Sequence, residues 1–532
     1  MKNKKQAIIL SVIASIALLV LIVGATYAYF QASGGTGTSA NLRVTTYTTD
    51  VFNFEVGSDI SIYADATSFA SGKGNAVGST FAKAILTANN KTNTATEHYY
   101  LYLNISNNTF TYTQNENTPE LLLTIKDAGG NAVTDITSLT YKTVTDGKGT
   151  SISGYDITNK SGLITLFNNK EITASPTKTD EWNITVTLVN YDKDQSKNAG
   201  KNFGAKLMIQ KEKIPTVLSD VCTSRNNLAT CITTLSNKSE PSIVNIYHHT
   251  SSLANGAGDN SYRYAGASDQ VNNFVCFGST TSSCPEDNLY RIIGVFEDKV
   301  KLIKYDYATN ALLGTNGDYE GLVTPGSVFY KGSLSKVDTY NWNYKNNTTI
   351  NDGAGSNIWS TSLLNKINLN TNYLNNIGTT WSNLIEDATW KVSGHTTGNV
   401  IPSEMYTGEI TNATKTYGPN DGTSKIGLMY VSDYGFAASP SAWTTTLRNY
   451  GGNDVNGTSI KTINWMYIGY LEWTMAPVSW NSFDVFSLSD DGPVYQSNAN
   501  AYWGSRPVLY LKSSVLYDGG LGTKDSPITL VV

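Results

Sequence analysis

From about Asn41 to Glu212 the chain alternates between short runs of apolar and β-branched residues and clusters of Asn, Asp and Gly. In WNITVTLVNY (182–191), Ile184, Val186 and Leu188 alternate with Thr185 and Thr187, the period of a strand with one buried face. Similar runs, YYLYLNIS (99–106), ELLLTIKDAGGNAV (120–133), GLITLF (162–167) and FGAKLMIQK (203–211), are separated by turn residues. This spacing predicts an all-β sandwich, jelly-roll-like, over residues 29–212.

The pattern then changes. Residues 213–244, with Pro215 after a Lys/Glu patch and VLSDVCTSRNNLATCITTL behind it, are expected as a linker with short helical turns. From 245 to 532 the chain mixes element types. Tyr290–Phe296 and Val300–Tyr305 flank Glu297-Asp298-Lys299 as a hairpin, and Leu363, Leu364, Ile367, Leu374 and Ile377 follow helical spacing between Trp359 and Trp390. The runs 425–438, 472–479, 484–496 and 505–515 read as strands, so the second module is expected to be an α+β domain.

Residues 1–28 stand apart from both modules. Lys2, Lys4 and Lys5 precede an uncharged apolar run, Ala7 to Val23, and then GATYAYF, with small residues Thr26 and Ala28 placed for cleavage. This is the layout of a signal peptide. Extended through Ala28, the run nears the roughly 20 residues that span a bilayer, so a signal anchor holding the membrane through residues 7–28 is the alternative. Either way everything after Tyr29 is expected to be exported to the cell surface or beyond.

Export gives the cysteines a meaning. Cys222 with Cys231 and Cys276 with Cys284 form two close pairs suited to local disulfides, the alternative being four free thiols. With 38 basic and 43 acidic residues the net charge is −5, which speaks against a nucleic-acid partner. Charged residues are only 15% of the chain, while Tyr (33), Trp (10) and Gly (45) are plentiful, so Asn, Ser, Thr and Tyr must make the exported surface.

Little of this is catalytic chemistry. Four His in 532 residues leave few ligands for a metal, and no nucleophile-elbow, zinc-protease or phosphate-loop motif occurs. Glu404, Glu409 and Asp433 are carboxylates that the sequence does not bring together. Asn453, Asp454 and Asn456 before Gly457 resemble a calcium loop, but no Glu follows at the required distance. No enzyme, cofactor or metal is expected. Asp259, Asn260, Arg263 and Asp433 are expected to hydrogen-bond structurally, and Trp473, Arg506 and Pro507 to serve as scaffold.

The stretch VSWNSFDVFSLSDDGPVYQSNANAYWG combines Trp, Tyr and Phe with Ser and Asn, the mixture used by adaptable binding surfaces. Two resemblances bear on it. The junction GATYAYF, followed by WNITVTLVNYDKDQSKNAGKNFGAKLMI, resembles the TasA/camelysin-type secreted β-sandwich proteins, which assemble into biofilm fibres. The second half, with NLYRIIGVF, DYGFAA, EWTMAP and RPVLYLKSSV, resembles an uncharacterised bacterial surface-domain family. That family is similar in turn to the C-type-lectin fold of the formylglycine-generating-enzyme-like branch.

The second resemblance implies a ligand-binding stretch just before RPVLYL, at Trp480, Asn481, Phe483, Asp484, Tyr495, Gln496, Asn498, Asn500, Tyr502 and Trp503. The alternative is that Phe483, Phe486 and Tyr502 are core and the rest decorate a hairpin. The lectins' calcium motifs are absent, and no Cys beyond Cys284 matches the catalytic pair of the formylglycine-generating enzymes. The resulting expectation is a surface binding protein that displays a C-type-lectin-like module on a β-sandwich stalk and takes a protein or glycan ligand. A fibre subunit that self-assembles by strand exchange through the N-terminal domain is the first alternative. An extracellular glycan hydrolase using Glu404 or Glu409 is the second.

Overall fold

The computed structural model describes residues 50–89, 94–281, 283–315, 330–334, 337–344, 355–411, 421–451, 454–455 and 458–532. The expected signal or anchor segment, residues 1–28, and the Thr-rich stretch up to Thr49 lie outside the described residues. Among those described, no helix is long and apolar enough to cross a membrane. The chain divides into two compact units, Met1–Lys213 and Ile214–Val532, both rich in antiparallel sheet.

The first unit is built from β1 (Val51–Val56), β2 (Ile60–Tyr63), β3 (Ala76–Thr87), β4 (Ala95–Asn108), β5 (Leu121–Asp127), β6 (Tyr141–Thr145), β7 (Ser151–Asp156), β8 (Gly162–Ala174), β9 (Thr177–Leu188) and β10 (Asn202–Gln210). They form a six-stranded sheet in the order β1-β3-β9-β5-β7-β6 and a four-stranded sheet in the order β2-β10-β4-β8. Period-2 alternation explains the packing. In β3, Ala82, Ala84 and Leu86 are buried while Lys83 turns outward to Glu181, 3.0 Å away on the paired strand β9. Ile184 and Val186 of β9 join Leu101, Leu103 and Ile105 of β4 in one core. Each such side chain contributes about 1.5–3 kcal/mol when fully buried. Within that core the Trp182 indole donates to the Tyr99 hydroxyl at 2.8 Å, and Tyr99 donates to Asp180 at 3.0 Å.

The second unit centres on β11 (Ile246–His248), β12 (Tyr262–Tyr264), β13 (Phe274–Cys276), β14 (Leu289–Phe296) and β15 (Lys299–Lys304), continued by Val508–Tyr510 and Ile426–Gly427. The expected hairpin is present: β14 and β15 pair across Glu297-Asp298, with Phe296 opposite Lys299. A separate three-stranded sheet joins Glu472–Pro477, Asp484–Leu488 and Val494–Asn498. Helical turns occupy Leu364–Tyr373 and Leu374–Ser382, as the spacing there predicts. Both disulfides form, Cys222–Cys231 and Cys276–Cys284, with Cα separations of 5.8 and 5.7 Å.

Two expectations need correction. Residues 214–244 are not a free linker. The helix Leu228–Lys238, capped by the Asn227 side chain, buries Leu228, Cys231, Ile232 and Leu235 in the second unit's core. The run 425–438 is not one strand either: after Ile426–Gly427 it becomes the helix Val431–Ala437, every residue of which is buried. Carboxylates decide the matter locally. Asp433 accepts from the Tyr430 amide (3.1 Å), while Glu409 accepts from the amides of Val431 (2.8 Å) and Ser432 (3.0 Å). These are N–H groups that a helix start leaves without backbone partners.

Candidate functional site

The stretch singled out in the sequence begins at a fixed turn. The Asn481 side-chain oxygen Oδ1 accepts from the backbone amides of Phe483 (3.0 Å) and Asp484 (2.8 Å), its side-chain nitrogen donates to the Asp484 carboxylate (2.6 Å), and its backbone carbonyl stays free for a further donor. Such a loop, in which Asn mimics backbone, needs no help from a ligand. From behind, the buried Asn357 amide donates to the Asn481 carbonyl at 2.9 Å. With the turn fastened on both sides, Trp480 is left 52% exposed. Of the ten tryptophans, eight are buried and Trp503 is half-buried, so an exposed indole is the exception in this chain.

Beyond the turn, Asp484–Leu488 pairs with Val494–Asn498, placing Asp484 opposite Asn498 and Ser487 opposite Tyr495. Val485, Phe486 and Leu488 face the core. Tyr495 and Asn498 are exposed, and Gln496, Phe483 and Asp484 are half-buried. Burial raises the Asp484 carboxyl above its ordinary range, against the lowering effect of its Asn481 bond.

The ten predicted positions therefore divide. Trp480, Phe483, Asp484, Tyr495, Gln496 and Asn498 share the turn and its hairpin. Asn481 shares it too, but is buried and already committed to the turn. Asn500, Tyr502 and Trp503 lead into a different sheet, where Tyr502 and Trp503 pair with Asn341 and Tyr340. Trp503 leans on Trp473 with ring centroids 6.3 Å apart.

One partner of this surface is absent from the predicted set. The exposed Arg448 guanidinium lies 4.0 Å from the centroid of the Tyr495 ring, a cation held against an aromatic face. No motif links the two in the sequence, because the contact joins the one-turn helix Leu447–Asn449 to the hairpin.

Other polar groups converge inside the unit. Arg263 donates through Nη2 to Asp259 (2.7 Å), through Nη1 to Asp433 (3.2 Å) and through Nε to Ser261 (2.8 Å). Lys301 Nζ lies 2.5 Å from Asp433 Oδ2. Burial pushes Asp259 upward, yet the Arg263 charge and the Ser261 bonds hold it well below the usual carboxylate range. Burial also pushes Glu409 up to about 7 and His249 down to about 2. The His249 ring packs on Phe436 and Trp443, and its Nδ1 accepts from the Ala257 amide at 3.0 Å. Arg506 behaves as a scaffold residue, bonding Glu472 (2.7 Å) and the Met466 carbonyl (2.8 Å). Glu404 closes a helix start by accepting from the Ile401 amide at 3.2 Å.

Among the described residues, no group of three His, Cys, Asp or Glu side chains is placed to hold a metal ion. The side chain of Asp454 lies outside them, as do Asn453 and Asn456. A cleft of about 340 Å³ beside Trp359, Asn365, Lys366 and Thr423 shares no residue with the hairpin. No protein-family model matches the chain, and no curated protein is significantly similar to it.

Proposed function

We propose that the protein is an exported binding protein of the bacterial cell surface. Its second unit, taken as C-type-lectin-like, presents the Trp480 turn and the Tyr495 strand to a protein or glycan, and its first unit, taken as a jelly-roll-like sandwich, serves as the stalk. The observation that carries this reading is Trp480, exposed on a turn made rigid by Asn481 and Asn357 in a unit whose other indoles are buried or half-buried. A large ring held in water at low rotamer cost is what an interface anchor requires. The two disulfides suit an oxidising environment, in keeping with export. Recognition by rings, amides and one guanidinium predicts binding that weakens little with salt.

The test is binding of the fluorescently labelled protein to a glycan array and to intact Gram-positive cells. Trp480→Ala with Tyr495→Ala should abolish retention on whichever probe captures the wild type, with circular dichroism unchanged. Undiminished retention by the double variant sinks the assignment.

A second reading has one observation of its own. Among the described residues, β1 pairs only with β3 at the border of its sheet, and its Val51 and Val56 side chains are exposed. An open edge of this kind accepts a strand from another copy, as a TasA-like fibre subunit would require. Filaments seen by electron microscopy for the first unit alone, and lost on Val51→Lys with Phe54→Lys, would favour it.

A further inference from the structure

Most buried ion pairs are salt bridges and remain so, but the pair at Lys301 and Asp433 has the contact, the surroundings and the neighbours for a further step. We propose that Lys301 and Asp433 condense in the folded second unit into an intramolecular amide, a covalent tie between β15 and the helix Val431–Ala437. The inference does not rest on the binding function.

The geometry supplies the reactants. Lys301 Nζ and Asp433 Oδ2 are 2.5 Å apart, and their side chains are 0% and 1% exposed. Four rings enclose the amine, with centroids at 4.4 Å (Tyr430), 5.3 Å (Phe296), 5.3 Å (Tyr510) and 5.7 Å (Trp390). The first step passes a proton from the ammonium to the carboxylate and leaves an amine with a free electron pair beside a carboxylic acid. The aromatic wall also keeps out the bulk water that would favour hydrolysis.

The neighbours suit the reaction. When the Lys301 nitrogen bonds to the Asp433 carboxyl carbon, charge develops on Oδ1, which the Arg263 Nη1 donor already holds at 3.2 Å. Oδ2 departs as water, carrying the proton first received from the ammonium and a second that the nitrogen sheds. One C–N bond forms, one C–O bond breaks, and one water leaves, with no oxidant or co-reactant. Glu409, fixed on the amides of the two residues preceding Asp433 and within electrostatic reach of its carboxylate, is the acid assigned to relay that second proton. Its carboxyl is raised to about 7 by burial.

Charge balance favours the product. The cluster of Asp259, Arg263, Lys301 and Asp433 holds two cations and two anions away from solvent. Condensation removes one of each and leaves Arg263 neutralised by Asp259 at 2.7 Å, with its Nη1 still capping the new amide carbonyl.

Mass spectrometry of the mature full chain decides the matter. The expected result is a mass lower by one water than the sequence with two disulfides, and a tryptic peptide uncut at Lys301 that is joined to the peptide carrying Asp433. Asp433→Asn should release ammonia instead and arrive at the same product mass as the condensed wild type. Lys301→Met should show no such loss. Glu409→Gln should accumulate the cross-link more slowly. A wild-type chain of full mass that trypsin cuts after Lys301 overturns the proposal, and so does a loss of water that persists in Lys301→Met.

Discussion

The two units handle charge in opposite ways. In the first, Lys83–Glu181 and Lys211–Glu97 sit on the outer surface, with side chains about a quarter to a half exposed, and the charged groups that are buried are carboxylates, Glu120, Asp146 and Asp156. In the second, Arg263, Arg291 and Arg506 rank among the largest fully buried side chains of the protein. Arg291 makes no ion pair among the described residues; its donors reach Asn273, Ser268 and the Val271 carbonyl, and burial lowers it to about 9. A sandwich with one wet face per sheet can keep its cations outside. A unit made of short elements leaves many backbone carbonyls to be tied down from within, and arginine does that.

The comparison is testable from its strongest consequence downward. Asp433→Ala should leave Lys301 buried without its partner and cost about 3–5 kcal/mol. Calorimetry should show the second unit's transition lowered or lost and the first unit's unchanged; a common shift would mean that the units do not melt independently.

The next effect is pH-dependent. The Glu409 carboxyl is raised to about 7 in the folded state, above its ordinary value of 4.5, so the native form binds more protons than the unfolded form between those values. Stability from this group is therefore present at low pH and lost as pH rises through that window, by at most about 3 kcal/mol. His249, lowered from 6.5 to about 2, acts in the opposite sense and loses stability as pH falls below about 6.5. Subtracting the denaturation profile of Glu409→Gln from that of the wild type isolates the first slope. A flat difference between pH 4.5 and 7 would refute it.

Opening the Cys222–Cys231 loop with a double Ser substitution should cost the second unit about 2.5 kcal/mol on the chain-entropy model. Smallest of all, Lys83→Ala on the sandwich should change stability by less than about 1 kcal/mol, because both members of its pair are partly solvated. A larger loss there would blur the contrast between the units.

Legibility followed the same divide. The strand around Ile184 could be read because Thr185 and Thr187 alternate with it, and alternation exists only where one face meets water. VSDYGFA carries no such mark: every residue of Val431–Ala437 is buried, and the choice of helix was made by Asp433 and Glu409 binding its first amides. The helix Leu228–Lys238 does show helical spacing at Leu228, Cys231, Ile232 and Leu235, but its Thr- and Asn-rich outer face and the cysteine pair made it read as a joint. Of the proposed binding surface, the turn and hairpin were recognisable from composition and order. Arg448 was not, since nothing in a linear pattern records which cation will settle on which ring. The convergence of Arg263, Lys301 and Asp433 was likewise invisible, because it is made by the sheet and not by the spacing.

The unequal exposure of the tryptophans has a practical side. With eight indoles shielded, Trp503 half-buried and Trp480 open to water, collisional quenchers such as iodide should remove chiefly the red edge of the emission, to which Trp480 contributes most. The protein thus carries an optical probe at the tip of its own hairpin, and titrating a candidate ligand against that quenching would report occupancy without any label.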